Sequence, residues 1–196
     1  VIFILRLPEA KAWNLFKKPK RDKAIERDQV TVGIGAGSSN FIEVGAFAAM
    51  TLFAGQLGAA ETASWAVVIN VSAMVFMVPM GLGSATAVLV GNAYGAGQKA
   101  EVMRSGLIGI GVVTVLAFII AVGLWFTAPL VVSAYTTDTA ILAIAAPALV
   151  LATLFFVADA QQVVAAQANR AAGDVVWPSL MHLLSYGIIM IPLGWF

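Results

Sequence analysis

Long stretches without a charged side chain constrain this chain more than any other feature of its sequence. Residues 62–98 and 107–130 contain no Asp, Glu, Lys or Arg. A helix needs about 20 apolar residues to cross the hydrocarbon core of a bilayer, and both stretches are longer than that. Only 11% of all residues are charged and 61% are hydrophobic, which leaves too little charge for a water-facing surface. The sequence therefore predicts an all-α, multi-pass membrane protein.

Glycines and polar residues divide the chain into about five transmembrane helices. The predicted spans are residues 30–57, 62–94, 101–126 and 140–172, and a fifth that begins near Pro178. Helix ends are expected at Gly58, at Gly95-Ala-Gly97 and at Gly173, because glycine accepts the left-handed conformation that often follows a helix. Pro79 and Pro147 lie inside spans and predict kinks, since proline removes a backbone hydrogen bond.

The basic residues predict how the chain is oriented in the membrane. Eight of the eleven Lys and Arg residues fall within residues 6–27, and the others are Lys99, Arg104 and Arg170. With the spans above, all of them lie on one side, which the positive-inside rule assigns to the cytoplasm. Residues 1–28 are thus interpreted as the end of a preceding helix and a basic cytoplasmic connector. Residues 29–196 are interpreted as a transmembrane bundle.

Both ends of the sequence suggest a segment of a longer protein. The chain opens with Val1-Ile-Phe-Ile-Leu-Arg6 and has no initiator Met, and it stops at Phe196 inside an apolar run. We therefore expect the bundle to be incomplete.

Glu43 is an acid near the middle of the first predicted span. An ionised carboxylate at that depth costs several kcal/mol unless it faces a cavity or has a partner. Ser39, Asn40 and Phe47 share its helix face at spacings of three and four residues. We interpret Glu43 as a functional acid and Asn40 as a cavity-lining residue. The alternative is a neutral carboxyl that holds two helices together.

Asp159 is a second acid, inside the fourth span. Gln162, Ala166 and Asn169 continue its helix face, and interhelical hydrogen bonds would explain the amides better than they explain an acid. Two carboxyl groups in one apolar bundle can bind a proton or a hard cation such as Na⁺, which prefers oxygen ligands. We predict that Glu43 and Asp159 form a cation-binding and coupling site, with Gln162 lining its cavity.

The remaining residue types offer little catalytic chemistry. The sequence has no cysteine, which excludes disulfides and thiolate metal sites. It also has no HExxH, GxSxG or P-loop pattern. We predict no enzyme activity, no cofactor and no resident metal ion other than Na⁺ at the two acids. His182, the only histidine, is interpreted as structural.

Three groups of residues, taken in order along the chain, resemble the multidrug and toxic compound extrusion (MATE) family. They resemble the start of that family's seventh helix, its eighth helix with the following turn, and its tenth helix with the turn into the eleventh. The groups are Gly33, Glu43-Val44 and Phe47; Pro79-x-Gly81, Ala85, Gly91 and Gly95-Ala-Gly97; and Asp159, Gln162, Arg170, Gly173-Asp174 and Pro178. Together they cover nearly the whole chain.

The resemblance implies most of the C-terminal half of a twelve-helix antiporter of the NorM-like branch, located in the bacterial inner membrane. In that family two six-helix bundles surround a central cavity. Acids at the positions of Glu43 and Asp159 belong to the cation site of the C-terminal bundle. Organic cations are typical substrates, and the coupling ion is Na⁺ or H⁺. The expected partners are lipid and the N-terminal half of the same polypeptide, and no nucleic acid.

Several departures from the family pattern concern substrate contacts more than the fold. Gly35 stands where the family usually has proline, so a softer helix break is expected. Ala66 replaces a common polar residue of the eighth helix, whereas Asn70 is retained there and is predicted to line the cavity. Gln167 and Ala171 replace glycines of the tenth-helix motif.

Two other functions stay open at this point. A flippase of the same superfamily for lipid-linked precursors would be expected to carry cationic residues in its cavity to hold pyrophosphate, but no Lys or Arg lies deep within a predicted span. A membrane scaffold or receptor without transport is the other alternative.

Overall fold

Helices form nearly all of the part of the chain that the structure, a computed structural model, describes. The structure describes residues 22–195, and no strand occurs among them. The chain divides into two compact units, Val1–Thr31 and Val32–Phe196. The predicted end of a preceding helix and most of the basic connector lie outside the described residues. The predicted all-α membrane fold is confirmed.

Within residues 22–195, five helical segments are long and apolar enough to cross a membrane. Four are single helices, and the fifth span (Val176–Trp195) consists of a short helix, a π-helical stretch and a last helical turn. The elements are α1 Lys23–Leu57, α2 Ala59–Gly95, α3 Lys99–Ser133, α4 Thr139–Ala171, α5 Val176–His182, the π-helical stretch Leu183–Met190 and α6 Ile191–Trp195.

The helices extend beyond the predicted spans. The Asp22 carboxylate accepts the backbone N–H of Ala24 at 2.9 Å, so α1 begins at Lys23 and not near Val30. Likewise α3 continues through Pro129 to Ser133, past the predicted end at residue 126. Apolar patterning marks the part of a helix inside hydrocarbon, and it cannot detect polar turns that continue the helix outside.

Glycines in the left-handed conformation end α2 and α4, as predicted. Gly97 has φ 70° and Gly173 has φ 88°, values that residues with a Cβ rarely adopt. Each turn closes with a backbone hydrogen bond of 2.9 Å, from Gln98 to Ala93 and from Asp174 to Asn169. These tight turns bring successive helices back across the membrane side by side.

The helices α2, α3 and α4 pack against one another around two groups of buried apolar residues. The larger group consists of Val68, Val71, Ala128, Val132, Ala145 and Leu149. The smaller group consists of Val113, Ala117, Ala160 and Val164. Most of these side chains are small, which lets the helices approach closely enough for van der Waals packing to hold them in lipid.

Helix α1 meets the fifth span at Gly35. A Cβ at this position would lie 2.8 Å from the Cβ of Val175, so only glycine allows this approach. One turn further on, the Ser39 and Ser179 hydroxyls hydrogen-bond to each other at 3.0 Å, and both lie near the Gly35 carbonyl. Helix α1 stays continuous here, in keeping with the softer break expected from glycine in place of proline.

Gly109 of α3 tests whether this close packing stabilises the bundle. A Cβ added there would overlap the buried side chain of Thr86 on α2. We expect Gly109→Ala to lower the melting temperature of the full-length protein in detergent, because overpacking costs about 1–3 kcal/mol. The double variant with Thr86→Ala should recover part of the loss.

Gly111→Ala in the same helix is the matched control, because no atom lies within 4 Å of a Cβ built there. It should leave stability unchanged or raise it slightly, since alanine has the higher helix propensity. Equal melting temperatures for the two single variants would contradict the packing described for α2 and α3.

Candidate functional site

Glu43 of α1 and Asp159 of α4 line the same cavity, which has a volume of about 260 Å³. The rest of its wall comes mostly from α2, α3 and α4 and is apolar apart from the Ser72 hydroxyl. Side chains that form this wall include Phe47, Phe76, Pro79, Val113, Ala117 and Phe156. The structure thus brings the two predicted acids together at one apolar cavity.

Helical spacing places both acids on the cavity wall. On α1, Glu43 and Phe47 are one turn apart, and on α4, Phe156 is one turn before Asp159. Each carboxylate is therefore flanked by an aromatic ring on its own helix. The Glu43 side chain is only 19% exposed, and the two carboxylates interact electrostatically.

His182, at the end of α5, lies beside Glu43. Its Nδ1 is 3.9 Å from the Glu43 Oε2, too far for a hydrogen bond. Its Nε2 lies 3.0 Å from the side-chain nitrogen of Gln162 on α4. The imidazole therefore connects α4 to the vicinity of Glu43. The interpretation of His182 as purely structural did not anticipate this position, because one histidine in a partial span gives no spacing from which to place it.

Tyr186 provides a matching contact to the second acid. Its hydroxyl donates to the Asp159 Oδ1 at 3.3 Å. Its ring packs edge-on against His182 at 5.5 Å and at a tilt against Phe47 at 6.0 Å. Tyr186 was not predicted as a site residue from the sequence. The signal available was its spacing of four residues from His182, which puts both on one helix face.

The π-helical stretch begins directly after His182 and contains Tyr186. Both residues are buried, whereas Leu183 and Leu184 between them are exposed. A π-helix turns less per residue than an α-helix, and such segments occur often at functional sites. At this stretch the imidazole lies beside Glu43 and the phenol contacts Asp159.

Arg170 adds a positive charge at the end of α4. Its Nε and Nη2 are buried and have no hydrogen-bond partner among the described residues. The guanidinium interacts electrostatically with Glu43. Arg170 lies in the last turn of α4, so its position in the sequence does not reveal that its guanidinium is partly buried.

The three predicted cavity-lining residues are placed differently. Gln162 does not line the cavity, but its side-chain nitrogen lies 3.0 Å from His182, the neighbour of Glu43. Asn40 is exposed and does not line the cavity. Asn70 is also exposed outside it, where its amide oxygen accepts a 2.8 Å hydrogen bond from the Tyr135 hydroxyl.

The donor set of the site fits a monovalent cation or a proton. Glu43 and Asp159 supply carboxylate oxygens, and Ser72 and Tyr186 add hydroxyls nearby. Calcium needs about 6–8 oxygen ligands. Within residues 22–195, no group of three or more His, Cys, Asp or Glu side chains could hold a metal ion.

Comparison with known sequences decides the family. The sequence model of the MatE family matches residues 36–196. The chain belongs to the MatE family. The resemblance inferred from the three residue groups is thus confirmed, and the chain comes from a family of membrane transporters and not of enzymes.

Bacterial relatives of this MatE chain share one name, probable multidrug resistance protein NorM. The relative from Caulobacter vibrioides is 51% identical over 194 residues, which is 99% of this chain and 41% of the relative. The one from Aromatoleum aromaticum is 35% identical over 164 residues, 84% of this chain and 35% of the relative. The one from Bacillus anthracis is 30% identical over 196 residues, 99% of this chain and 43% of the relative.

This MatE chain therefore spans about two fifths of the length of the relatives it matches. It is a NorM-like, multi-pass integral membrane protein of the bacterial inner membrane, as its five apolar spans and its bacterial relatives show.

Tyr186→Phe tests whether the phenol stabilises the Asp159 carboxylate. We expect a slightly lower melting temperature for the full-length protein, because an ordinary intramolecular hydrogen bond contributes about 0.5–1.5 kcal/mol. Tyr94→Phe is the control, since Tyr94 is 57% exposed at the end of α2. Identical melting temperatures for wild type and Tyr186→Phe would contradict the described contact.

Proposed function

We propose that the full-length protein is a secondary active antiporter that exports organic cations or drugs in exchange for Na⁺ or H⁺. In this proposal Glu43 and Asp159 bind the coupling cation. The observation that carries it is the shared cavity, where two carboxylates lie in an otherwise apolar wall. Intramembrane acids that face a cavity commonly mark ion pathways.

The charge of the cavity supports a cation as its ligand. Two acids and no Lys or Arg line it among the described residues. A positive ion or a proton would relieve the repulsion between two carboxylates in a medium of low dielectric constant. The same charge attracts a cationic substrate, so ion and substrate can exclude each other electrostatically.

The cavity is smaller than a typical pocket for a drug-sized ligand, but it is large enough for an ion. Pockets for drug-sized ligands measure about 300–1,000 Å³, and this one measures about 260 Å³. We infer that the cavity holds the ion and that a drug needs additional surface from the N-terminal half of the polypeptide. Exposed apolar side chains such as Phe118 and Leu130 are suited to contact lipid.

Coupling follows from unequal affinity for two conformers. A cation that binds the acids more tightly in one conformer shifts the population towards it, by no more than that difference in affinity. The site joins α1, α4 and the fifth span. Cation binding can thus alter how these three segments pack, and through them how the bundle meets the N-terminal half.

The flippase alternative is less well supported. Arg170 is the one cationic side chain with buried guanidinium nitrogens among the described residues, and it interacts with Glu43. Arg170 does not line the cavity, so its charge is poorly placed to hold a pyrophosphate bound there. A scaffold without transport gives no reason for two acids at an apolar cavity.

Efflux by the full-length protein tests the assignment. In proteoliposomes we expect Glu43→Gln and Asp159→Asn each to lower ion-dependent efflux of an organic cation dye such as ethidium. The expected decrease is ~5-fold or more, because coupling between two ligand sites typically changes affinity by at least that factor. The reason is that each substitution removes one charged ligand of the cation.

The control is Glu101→Gln, an acid at the exposed start of α3 whose ion pair with Arg104 spans 3.3 Å. Exposed ion pairs contribute little to stability, so this variant should transport like wild type. Normal, ion-dependent efflux by both Glu43→Gln and Asp159→Asn would contradict the proposal.

A further inference from the structure

His182 carries a buried nitrogen without a partner. Its side chain is only 7% exposed, and its Nδ1 has no hydrogen-bond partner among the described residues. Leaving a buried polar group without a hydrogen bond destabilises the folded state, so such atoms call for an explanation. The Nδ1 edge of the ring faces the Glu43 carboxylate at 3.9 Å, with the Ser39 main chain also nearby.

The neighbouring hydrogen bonds indicate which nitrogen carries the proton. Tyr186 donates its hydroxyl hydrogen to Asp159, so its oxygen is free to accept from the Gln162 side chain with which it interacts. Gln162 then presents its NH₂ group, which also lies 3.0 Å from the His182 Nε2. Since an amide nitrogen can only donate, Nε2 accepts and Nδ1 carries the hydrogen in the neutral ring.

All donors of this network therefore point towards the two acids. One branch is the hydrogen bond of 3.3 Å that the Tyr186 hydroxyl donates to Asp159. The other runs from Gln162 through His182 towards Glu43 and stops at a gap of 3.9 Å. The unfinished branch ends on a carboxylate that lines the ion cavity.

We propose that the Nδ1–H of His182 competes with the coupling cation for the Glu43 carboxylate. The inference rests on the proposed function of Glu43 as a cation ligand. When the cation leaves, Glu43 moves by about 1 Å to accept the Nδ1–H at an ordinary hydrogen-bond distance. When the cation binds, Glu43 turns into the cavity and Nδ1 loses this hydrogen bond.

Such a competitor gives the cation a way to leave. A transporter must release its coupling ion once per cycle, and an uncompensated carboxylate in an apolar cavity would hold it too tightly. A neutral donor on the neighbouring span replaces the ion without adding a full charge. Arg170 also attracts Glu43, but the Nδ1 of His182 lies 3.9 Å from the Glu43 carboxylate and has no hydrogen-bond partner of ordinary geometry among the described residues.

Two substitutions distinguish the role of Nδ1 from the role of Nε2. His182→Asn keeps a donor near the position of Nδ1, whereas His182→Gln keeps a group near Nε2 and loses the one that faces Glu43. The measurement is the initial rate of ethidium efflux by the full-length protein in proteoliposomes. Na⁺ is varied at fixed pH and pH at fixed Na⁺, so that either coupling ion is covered.

Competition between the His182 Nδ1–H and the cation predicts the direction in which each variant changes the apparent affinity for the cation. His182→Gln should lower the half-saturating concentration of the driving cation by about tenfold, because the hydrogen bond that competes with it is lost. Its maximal rate should also fall, since cation release becomes slower. The half-saturating concentration of His182→Asn should stay within about twofold of the wild-type value, well short of the tenfold change expected for His182→Gln.

Other outcomes overturn the inference. If His182 only positions Glu43 as a ligand, His182→Gln will raise the half-saturating concentration. If the ring only fills space, the Asn and Gln variants will behave alike. Should substitution at 182 prevent folding, Gln162→Leu serves instead, because it removes the donor that holds the proton on Nδ1 and should also lower the half-saturating concentration.

Failure of this inference can be told from failure of the proposed function. Wild-type, ion-dependent efflux in Glu43→Gln and Asp159→Asn would reject the assignment of these two acids as the cation site. Loss of efflux in those two variants, with an unchanged or weaker cation response in His182→Gln, would keep the cation site and reject the competing donor.

Discussion

The cost of placing a carboxylate in hydrocarbon is the constraint on which the rest of this structure depends. Glu43 and Asp159 can lie at mid-span only because a cavity and polar neighbours on other helices receive them. Those neighbours must come from helices that approach closely. The small residues at the crossings, such as Gly35 and Gly109, allow that approach. Packing and chemistry are thus two results of the same constraint.

Much of the fold could be predicted from sequence because it depends on features local to each helix. Charge-free stretches locate the spans, and glycines in the left-handed conformation end α2 and α4 where expected. Helix ends were less predictable. The Asp22 cap and the continuation through Pro129 lie outside the hydrophobic pattern that locates a span. The family could also be inferred, since its motifs are spread over most of the chain.

The site was only partly predictable. Acids in apolar spans are visible in sequence, and the structure brings Glu43 and Asp159 to one cavity. Their partners depend on how helices rotate against one another, which spacing within one helix does not determine. Asn40 shares a helix face with Glu43 by spacing and yet is exposed. His182 and Tyr186 reach the acids where α5 passes into a π-helical stretch, which no residue pattern predicted.

The central claim is that Glu43 and Asp159 act across one cavity, and cysteine substitution tests it most directly. The chain has no cysteine, so Glu43→Cys and Asp159→Cys introduce thiols only at the site, in a full-length protein whose other cysteines are replaced. Thermal shift with Cd²⁺ then measures metal affinity. The account predicts that the double variant binds Cd²⁺ at least ~10-fold more tightly than either single variant, because two thiolates share the ion. Equal affinities in all three variants would contradict it.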